Sequence, residues 1–454
     1  MKTEITINRG LDLSIRGGLP ADVEVKRIPA AKVALTPDDF PGLTPKLEVK
    51  EGSDVAAGQP LMRSKECDRI KLVSPVAGRV SEVKRGERRK ILYVSVEVAG
   101  ASEVPAVKVS ADHADELRDA LMQSGLWAQM RQRPYDIVPV ADAVPRDIFV
   151  TAIDSAPLAA PLTDNLDNKT GRIDAALKAL KALTSGKVYV SFRPGEDKAL
   201  MPEWAYSDDR VVVVTVDGRH PAGNAGVQAA ALAPVNKGET IWTLDIVTLW
   251  RIGSLIVDGR VDWSTSVAVT GSDVKQPMVV ETIVGAAVEP LIEGNIVEGD
   301  AHRRIISGNV LTGVKTAPDG YLHYPYRQIT VIPEGDDVDE FMGWASMSPS
   351  KMSESRSFLS KLFGKKQFTP DARVLGGKRA MIMSGLYDKV FPMDIYPEYL
   401  LKAIISKDID KMEQLGIYEV APEDFALCEY VDPSKIELQK IVREGLDYLR
   451  KEVE

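Results

Sequence analysis

The chain has 454 residues, of which 44% are hydrophobic and 27% are charged, with a formal net charge of −9 at pH 7. One hydrophobic core rarely serves so long a chain, so we expect a soluble protein with several domains. The negative charge argues against nucleic-acid binding, which requires a basic surface. No apolar run approaches the ~18 residues that span a bilayer. The opening MKTEITINRG also lacks the apolar core of a secretory signal.

Cysteine and histidine are too scarce to indicate a metal or iron–sulfur centre. The two cysteines, Cys67 and Cys428, are far apart, and no two histidines have the i, i+4 spacing of helical metal ligands. Cys428 has apolar neighbours, so we expect a buried thiol rather than a nucleophile. Two unpaired cysteines fit a reducing cytoplasm.

Residues 1–105 are predicted to be rich in β-structure, and residues 47–98 have the layout of a lipoyl/biotinyl-type hammerhead. Short alternating strands are separated there by glycine and proline turns. Such modules carry a cofactor on a lysine at a hairpin tip. Counting from the GQ and SP motifs, as in lipoyl domains, leads to Asp68 and Cys67, with Lys65 and Lys71 only flanking. The pattern therefore predicts a scaffold or docking module without the carrier lysine.

Strands and helices alternate from residue 106 to 255. We expect helices over Ala111–Ser124 and about 171–183, and strands over Ile148–Asp154, Lys187–Phe192 and Val211–Val216. Because these strands are nearly continuous apolar runs, they are typical of a parallel sheet covered on both faces. Residues 256–335 return to short β-segments and predict a small mixed sheet. Residues 336–454 are predicted to be helical, with the last helix starting at Asp432 and Pro433.

The loop GRHPAGNAGVQ, Gly218–Gln228, follows the most apolar strand. Glycines after a parallel strand can let backbone N–H groups approach a phosphate. However, the glycine spacing is not G-x-G-x-x-G, so the alternative is a turn that holds His220 and Pro221 against a neighbouring domain. In either case the loop lies at the carboxyl edge of the sheet, where ligands and partners bind.

A second candidate surface is the basic segment Lys351–Lys366, which also contains Phe358 and Phe363. It could contact anionic lipid or a membrane protein. The alternative, which we favour, is a solvated loop and short helix that packs on the protein itself.

Several separate segments together resemble one protein family. These are NRGLDL near the start, residues 124–159 (SGLWAQMRQRPYDIVP followed by PRDIFVTAIDSAPLA), the Gly218–Gln228 loop, and residues 376–435. They are similar, in the same order, to the A subunits of sodium-translocating NADH:quinone oxidoreductases. That family is related to the C subunit of the Rnf complex and to the NADH-binding subunit of complex I. The chain lacks the C-x-x-C-x-x-C run of the first and the flavin-cradling glycines of the second.

The resemblance implies a multidomain α/β fold. Its parts are a lipoyl/biotinyl-like β hammerhead (1–105), a Rossmann-like α/β domain (106–255), a small β-grasp, SLBB-like domain (256–335) and a helical C-terminal region (336–454).

The resemblance also implies a peripheral subunit on the cytoplasmic face of a bacterial inner membrane. The family's complex couples electron transfer from NADH to ubiquinone with Na⁺ export. Its FAD, FMN, riboflavin and iron–sulfur groups belong to other subunits, so we expect no redox centre and no isolated activity in this chain. The expected partner is chiefly the membrane-embedded B subunit, and quinone is a further candidate.

For the site itself we predict partner-binding or quinone-proximal positions at His220, Pro221, Gly223, Asn224 and Gly226. Of these, His220, Gly223 and Asn224 are expected to be the most exposed. Two alternatives stay open: an independent soluble NADH dehydrogenase that uses this loop, and a lipoyl or biotinyl carrier.

Overall fold

The computed structural model describes residues 2–111, 113–163, 166, 170–338, 352 and 367–453. Apart from Met352, the predicted basic segment Lys351–Lys366 lies outside these residues, so its contact with lipid or protein stays a prediction. Within the described ranges the strands form four sheets, two of which have six strands.

The N-terminal region consists of short strands because glycine and proline turns interrupt it. The strands are β1 (Lys2–Ile7), β2 (Val25–Arg27), β3 (Lys32–Leu35), β4 (Pro45–Leu47), β5 (Asp54–Val55), β6 (Pro60–Ser64), β7 (Lys71–Val73), β8 (Gly78–Arg85) and β9 (Ile91–Val98). Two antiparallel sheets, ordered β3-β9-β8-β5 and β4-β6-β7, share one apolar core. The predicted β-rich start of the chain is confirmed.

The hairpin tip between β6 and β7 is docked on neighbouring parts of the protein. Arg69 lies 3.1 Å from a carboxylate oxygen of Asp119 and 2.8 Å from one of Asp142. Cys67, at the predicted carrier position, packs partly buried against the main core. The hairpin tip is therefore in contact with other parts of the chain.

The central region forms an α/β sheet. Its elements are α1 (Ala114–Gln123), β10 (Arg131–Arg133), β11 (Asp147–Thr151), α2 (Arg172–Leu183), β12 (Val188–Phe192), α3 (Asp197–Leu200), β13 (Val211–Gly218), α4 (Ala225–Leu232), β14 (Ile241–Asp245) and α5 (Ile246–Asp258). The strand order is β1-β13-β12-β11-β14-β10, and only β10 runs antiparallel. The predicted parallel sheet is confirmed, although α1 begins after His113 rather than after Ser110.

The third region is a mixed sheet, as predicted from its short β-segments. It contains β15 (Ser264–Thr270), β16 (Met278–Ile283), α6 (Glu289–Ile292), β17 (Arg303–Ser307), β18 (Val314–Thr316) and β19 (Gln328–Pro333). The strand order is β18-β17-β19-β15-β16-β2.

The C-terminal region is helical, with α7 (Pro397–Ser406), α8 (Ile409–Gln414), α9 (Ala426–Val431) and α10 (Leu438–Val453). The predicted start of the last helix at Asp432 and Pro433 is wrong. The fully buried Asp432 carboxylate instead accepts hydrogen bonds from the N–H groups of Ser434 and Ile436 and from the Tyr387 hydroxyl. These bonds hold a turn, so α10 begins only at Leu438.

The two faces of the α/β sheet are covered by different parts of the chain. Because side chains alternate along a strand, Val211 and Val213 of β13 lie in one core with α2 and α5. Val212 and Val214 lie in a second core with α7–α10. The C-terminal helices thus provide the second cover that the apolar strands predicted.

The block 1–105 does not correspond to a single structural layer. β1 pairs in parallel with β13 at the edge of the α/β sheet, and β2 pairs in parallel with β16 of the mixed sheet. The N-terminal segment therefore adds β1 to one sheet and β2 to another, and these pairings join the start of the chain to the rest of the fold.

Candidate functional site at the carboxyl edge of the sheet

The loop after β13 is held by hydrogen bonds from two other segments. The His220 carbonyl accepts the Leu11 N–H at 2.8 Å, and the His220 N–H donates to Asp12 Oδ1 at 3.1 Å. The Ser155 hydroxyl lies 3.1 Å from His220 Nδ1 and accepts the Gly223 N–H at 2.8 Å. Since Ser155 follows β11, the carboxyl ends of β11 and β13 meet at this loop, as expected for parallel strands.

The predicted exposure of His220 and Gly223 is wrong. His220 is only 4% exposed, Pro221, Gly223 and Gly226 are buried, and Asn224 is half-buried. The hydrogen bonds from Leu11 and Ser155 close the loop against the protein. Burial lowers the pKa of His220 to about 4, against the opposing charge of Asp12, so the imidazole is neutral at physiological pH.

In a dinucleotide-binding sheet a phosphate approaches the start of a helix such as α4. Here that position is covered by other residues of the chain. A Cβ atom placed on Gly226 would lie 2.1 Å from Nη2 of Arg133. The buried Arg133 guanidinium binds Asp424 Oδ2 at 2.9 Å and donates to the Glu419 carbonyl. An internal cation and the C-terminal residues that bind it therefore occupy the space over this helix end.

Acidic groups of the same C-terminal segment lie around Arg133. Burial raises the pKa of Glu419 to about 7, with Asp394 adding to the shift and Arg133 opposing it. Burial also disfavours the charge on Arg133, but the surrounding carboxylates, chiefly Asp424, keep its pKa above the ordinary value. The guanidinium is thus a fixed positive charge inside the protein.

A large cavity of about 1230 Å³ opens near the carboxyl ends of β11 and β14, between the N-terminal region, the α/β sheet and the mixed sheet. Its walls are mostly apolar and include Trp250, Leu162, Val261, Trp263 and Ile283. Pockets of this size and character are the usual sites of small-molecule binding.

Two of the residues that line the cavity are charged groups near the carboxyl ends of the strands. Asp154, just after β11, and Arg327 both line it, and Arg327 Nη1 binds Asp245 Oδ2 at 2.7 Å. Burial would raise the pKa of Asp245, but the charge and hydrogen bond of Arg327 outweigh it and lower the pKa. The surrounding protein raises the pKa of Asp154 by desolvation, which the Ala156 N–H hydrogen bond and the charge of Arg327 oppose, although the residue keeps an exposed surface in the cavity.

A second charge pair also lines the cavity. Arg260 Nη1 lies 2.6 Å from Glu103 Oε2, and both residues line the cavity. Nearby, the guanidinium of Arg172 stacks 4.2 Å from the Trp250 ring centre and pairs with Asp262 at 3.1 Å. These contacts fix the indole of Trp250 in the cavity wall.

The described residues contain no group of three or more His, Cys, Asp or Glu side chains that could hold a metal ion. Within them, too, no helix has both the length and the apolar character needed to cross a bilayer.

Comparison with known proteins identifies the family. Three family models match the chain: the NqrA N-terminal barrel-sandwich hybrid domain over residues 5–99, the NqrA second alpha/beta domain over 112–261, and the NQRA C-terminal domain over 266–317. The A subunit of the Na(+)-translocating NADH-quinone reductase of Saccharophagus degradans is 38% identical, covering 99% of this chain and 100% of its own. The A subunits of Vibrio anguillarum and Serratia proteamaculans are 36% and 34% identical over the same shares.

The chain belongs to the family of these A subunits. The resemblance seen in the sequence is thereby confirmed, as is a multidomain α/β architecture with an N-terminal barrel-sandwich domain. Among solved structures, an NAD⁺-reducing [NiFe]-hydrogenase overlaps 49% of this chain and 47% of its own at 14% identity, with a TM-score of 0.35. That overlap is too low to bear on fold or function.

For this member of the A-subunit family, the predicted loop does lie at the carboxyl edge of the sheet, and its part in binding a partner or quinone stays a prediction. The predicted residues His220, Pro221, Gly223, Asn224 and Gly226 do lie together, yet they form the buried support of the edge. The cavity residues Asp154 and Arg327 were missed. A signal existed for Asp154, because it ends the predicted strand Ile148–Asp154 and side chains at such ends reach ligands.

Proposed function

We propose that this chain acts as the A subunit of a Na⁺-pumping NADH:quinone reductase. Full-length similarity to proteins of that name, with equal coverage of both chains, is the observation that carries the proposal. The activity belongs to the assembled complex, and we expect the isolated chain to be inactive.

We further propose a docking role without a redox centre of its own. The closed start of α4 supports this, because Arg133 fills the position where a nucleotide phosphate would bind. Of the two cysteines, Cys428 is buried and Cys67 is half-buried. The flavins and iron–sulfur groups are assigned to partner subunits, as the family resemblance implied.

The proposed location is the cytoplasmic face of a bacterial inner membrane, with the membrane-embedded B subunit as the main partner. The proposed domain limits are those predicted above, with lipoyl-like, Rossmann-like and β-grasp folds for the first three. The buried loop from His220 to Gly226 would act by holding the sheet edge in shape, so that quinone or a partner meets the cavity side of that edge.

We propose the cavity as the quinone-proximal site in this chain. Its mostly apolar lining suits a hydrophobic ring, and the lining also includes polar groups that can bind an oxygen atom. An independent NADH dehydrogenase is the competing function. The position of Arg133 over the start of α4 argues against it.

Copurification tests the docking role. An affinity tag on the chain in its native host should recover, from solubilised membranes, a flavoprotein that oxidises NADH and at least one integral membrane protein. Deletion of the gene should abolish Na⁺-stimulated quinone reduction by membranes, and re-expression should restore it. Recovery of the chain alone, with NADH oxidation by that chain, would instead establish the competing enzyme.

Protein-free membranes provide a second test. Because no spanning helix lies in the described residues, we expect attachment through protein contacts, with surface charge secondary. The purified chain should not float with anionic liposomes at ~0.15 M salt, which screens surface charges beyond about 8 Å. Strong flotation would indicate that the Lys351–Lys366 segment acts as a membrane anchor.

A further inference from the structure

The turn between β8 and β9 concentrates positive charge on the surface of the N-terminal region. Residues 84–90 read KRGERRK, with five basic side chains and one acidic side chain, in a chain whose net charge is −9. All five basic side chains are exposed. We call this segment the basic turn. Because its charge is opposite in sign to that of the whole chain, it points to an anionic binding partner.

The lysines of the basic turn are already paired within the protein. Lys84 Nζ lies 3.2 Å from Glu82 Oε1, and Lys90 Nζ lies 2.6 Å from Asp38 Oδ2. The arginines of the turn, by contrast, have no carboxylate at ion-pair distance within the ranges that the structure describes: Arg85, Arg88 and Arg89. A guanidinium without an internal partner is free to bind the oxygens of an external phosphate or carboxylate.

The backbone of the basic turn is strained at two of these arginines. Arg88 and Arg89 have φ angles of 53° and 61°, in the left-handed region where turns normally place glycine or asparagine. The turn is held by the Gly86 N–H, which donates to the Lys90 carbonyl at 2.9 Å, and by the Lys90 N–H, which donates to the Glu87 carbonyl at 3.1 Å. Two arginines thus stand where glycine would fit better, which indicates that their side chains serve a purpose other than the turn.

An exposed leucine lies beside the basic turn. Leu92 of β9 is 37% exposed, and its Cδ2 would lie 3.1 Å from a Cβ atom placed on Gly86, so it packs over the turn. An acidic protein surface would match the arginines but not this apolar side chain. The headgroup region of a bilayer offers both phosphate oxygens and an apolar boundary. The surface therefore favours anionic lipid over an acidic protein.

We propose that the basic turn is a contact site for anionic lipid headgroups, where Arg88 and Arg89 bind phosphate oxygens and Leu92 enters the headgroup region. This inference rests on the proposed function only for the presence of a membrane beside the chain. Each arginine near the surface strengthens binding about fivefold. The contact is therefore weak, and it orients a chain that protein contacts hold at the membrane. The negative charge of the rest of the chain makes the contact sensitive to salt.

Vesicle flotation with the purified full-length chain tests the contact. The vesicles are phosphatidylcholine alone or a mixture of phosphatidylcholine and phosphatidylglycerol. At ~0.01 M salt, where charges act over about 30 Å, the wild-type chain should float with the anionic vesicles and not with the neutral ones. At ~0.15 M salt the flotation should be lost, because the screening length falls to about 8 Å.

A pair of double variants separates charge from backbone strain. Arg88→Gly with Arg89→Gly removes both charges and suits the left-handed backbone, so the thermal unfolding midpoint should be at least that of the wild type. Its affinity for anionic vesicles at low salt should be about 25-fold weaker. Arg88→Lys with Arg89→Lys keeps both charges and should retain most of the affinity.

Two further variants control for net charge and test the leucine. Lys198→Gln with Lys402→Gln removes two exposed charges from α3 and α7, the same change in net charge, and should bind vesicles as the wild type does. Leu92→Gln should weaken binding at low salt and leave its salt dependence unchanged, because the lost contact is apolar.

The contrary outcomes are distinct from a failure of the proposed function. Unchanged vesicle binding by Arg88→Gly with Arg89→Gly would overturn the role of the basic turn, and unchanged binding by Leu92→Gln would overturn that of the leucine. Absence of wild-type binding to anionic vesicles at ~0.01 M salt would overturn the lipid assignment. If the glycine variant then also failed to copurify with the membrane partners, the turn would instead bind an acidic protein surface. Copurification by the wild-type chain would leave the docking function standing in each case.

Discussion

Arg133 on the edge strand β10 and Asp424 in the C-terminal region form a buried ion pair, with Nη1 and Oδ2 2.9 Å apart. The two residues are far apart in sequence, and both are almost fully inaccessible to solvent. The pair joins the α/β sheet to the helices that cover its second face. The same guanidinium covers the start of α4. The ion pair therefore both holds the C-terminal region on the sheet and blocks the position where a phosphate would bind.

Removal of one partner of this pair should destabilise the protein strongly. Asp424→Asn leaves the Arg133 charge buried with weakened compensation, which typically costs about 3–5 kcal/mol. The replacement of both residues, as Arg133→Met with Asp424→Leu, should recover much of the loss, because no unpaired charge is left. Urea unfolding followed by circular dichroism measures both effects.

The exposed pair Lys275–Glu298, at 2.7 Å, provides the control. Glu298→Gln should leave the unfolding midpoint nearly unchanged, because water screens such surface pairs. If Asp424→Asn shifts the midpoint no more than Glu298→Gln does, the buried pair does not hold the C-terminal region.

The sequence was sufficient to predict the helices and strands, but it was not sufficient to predict such long-range contacts. The apolar run Val211–Val216 predicted a buried parallel strand because its residues favour β-structure on a sheet covered from both sides. Nothing local could predict that β1 pairs with β13, or that Arg133 binds Asp424, because these contacts depend on how distant segments meet. The exposure of His220 was mispredicted for the same reason, since Leu11 and Ser155 close over it.

The Gly223→Val variant should impair assembly of the complex or quinone reduction. A Cβ atom at position 223 would lie 2.7 Å from the Ser155 nitrogen and 2.9 Å from the Ile153 carbonyl oxygen. The added side chain must therefore push β11's carboxyl end, and with it Asp154, away from the loop. NADH oxidation with an artificial acceptor, a reaction of the proposed flavoprotein partner, should survive in whatever complex assembles.

Gly377→Val is the matched control, because a Cβ atom there meets nothing within 4 Å. It should assemble and reduce quinone at the wild-type rate. Normal assembly and quinone reduction by Gly223→Val would mean that the loop is only a structural turn, without influence on the cavity edge.

The purified chain should carry neither a carrier group nor a flavin. Cys67 and Asp68 occupy the tip where a carrier domain has its lysine, and Arg69 docks that tip on Asp119 and Asp142. Intact-protein mass should equal that of the unmodified chain, and the visible spectrum should lack a flavin band. A mass excess on Lys65 or Lys71, or stoichiometric flavin with NADH turnover, would contradict the docking role.

His220 should make stability depend on pH in a definite window. Burial lowers its folded pKa to about 4, whereas the unfolded chain has the ordinary value of 6.5. Between these two pH values His220 is protonated in the unfolded chain and neutral in the folded chain. Stability should therefore be fully present above pH 6.5 and should fall by about 3 kcal/mol as the pH drops towards 4.

His220→Asn tests this assignment with a side chain that has no titratable group and can still form hydrogen bonds near the Ser155 hydroxyl. Other groups also titrate: the pairing of His323 with Asp39 raises the His323 pKa despite burial, and its contribution is lost as the pH rises. The informative quantity is therefore the difference in unfolding free energy between wild type and His220→Asn across the pH series. That difference should shift in favour of the variant below pH 6.5, because asparagine cannot take up the proton. A difference that stays constant with pH would show that His220 is not held neutral in the folded protein.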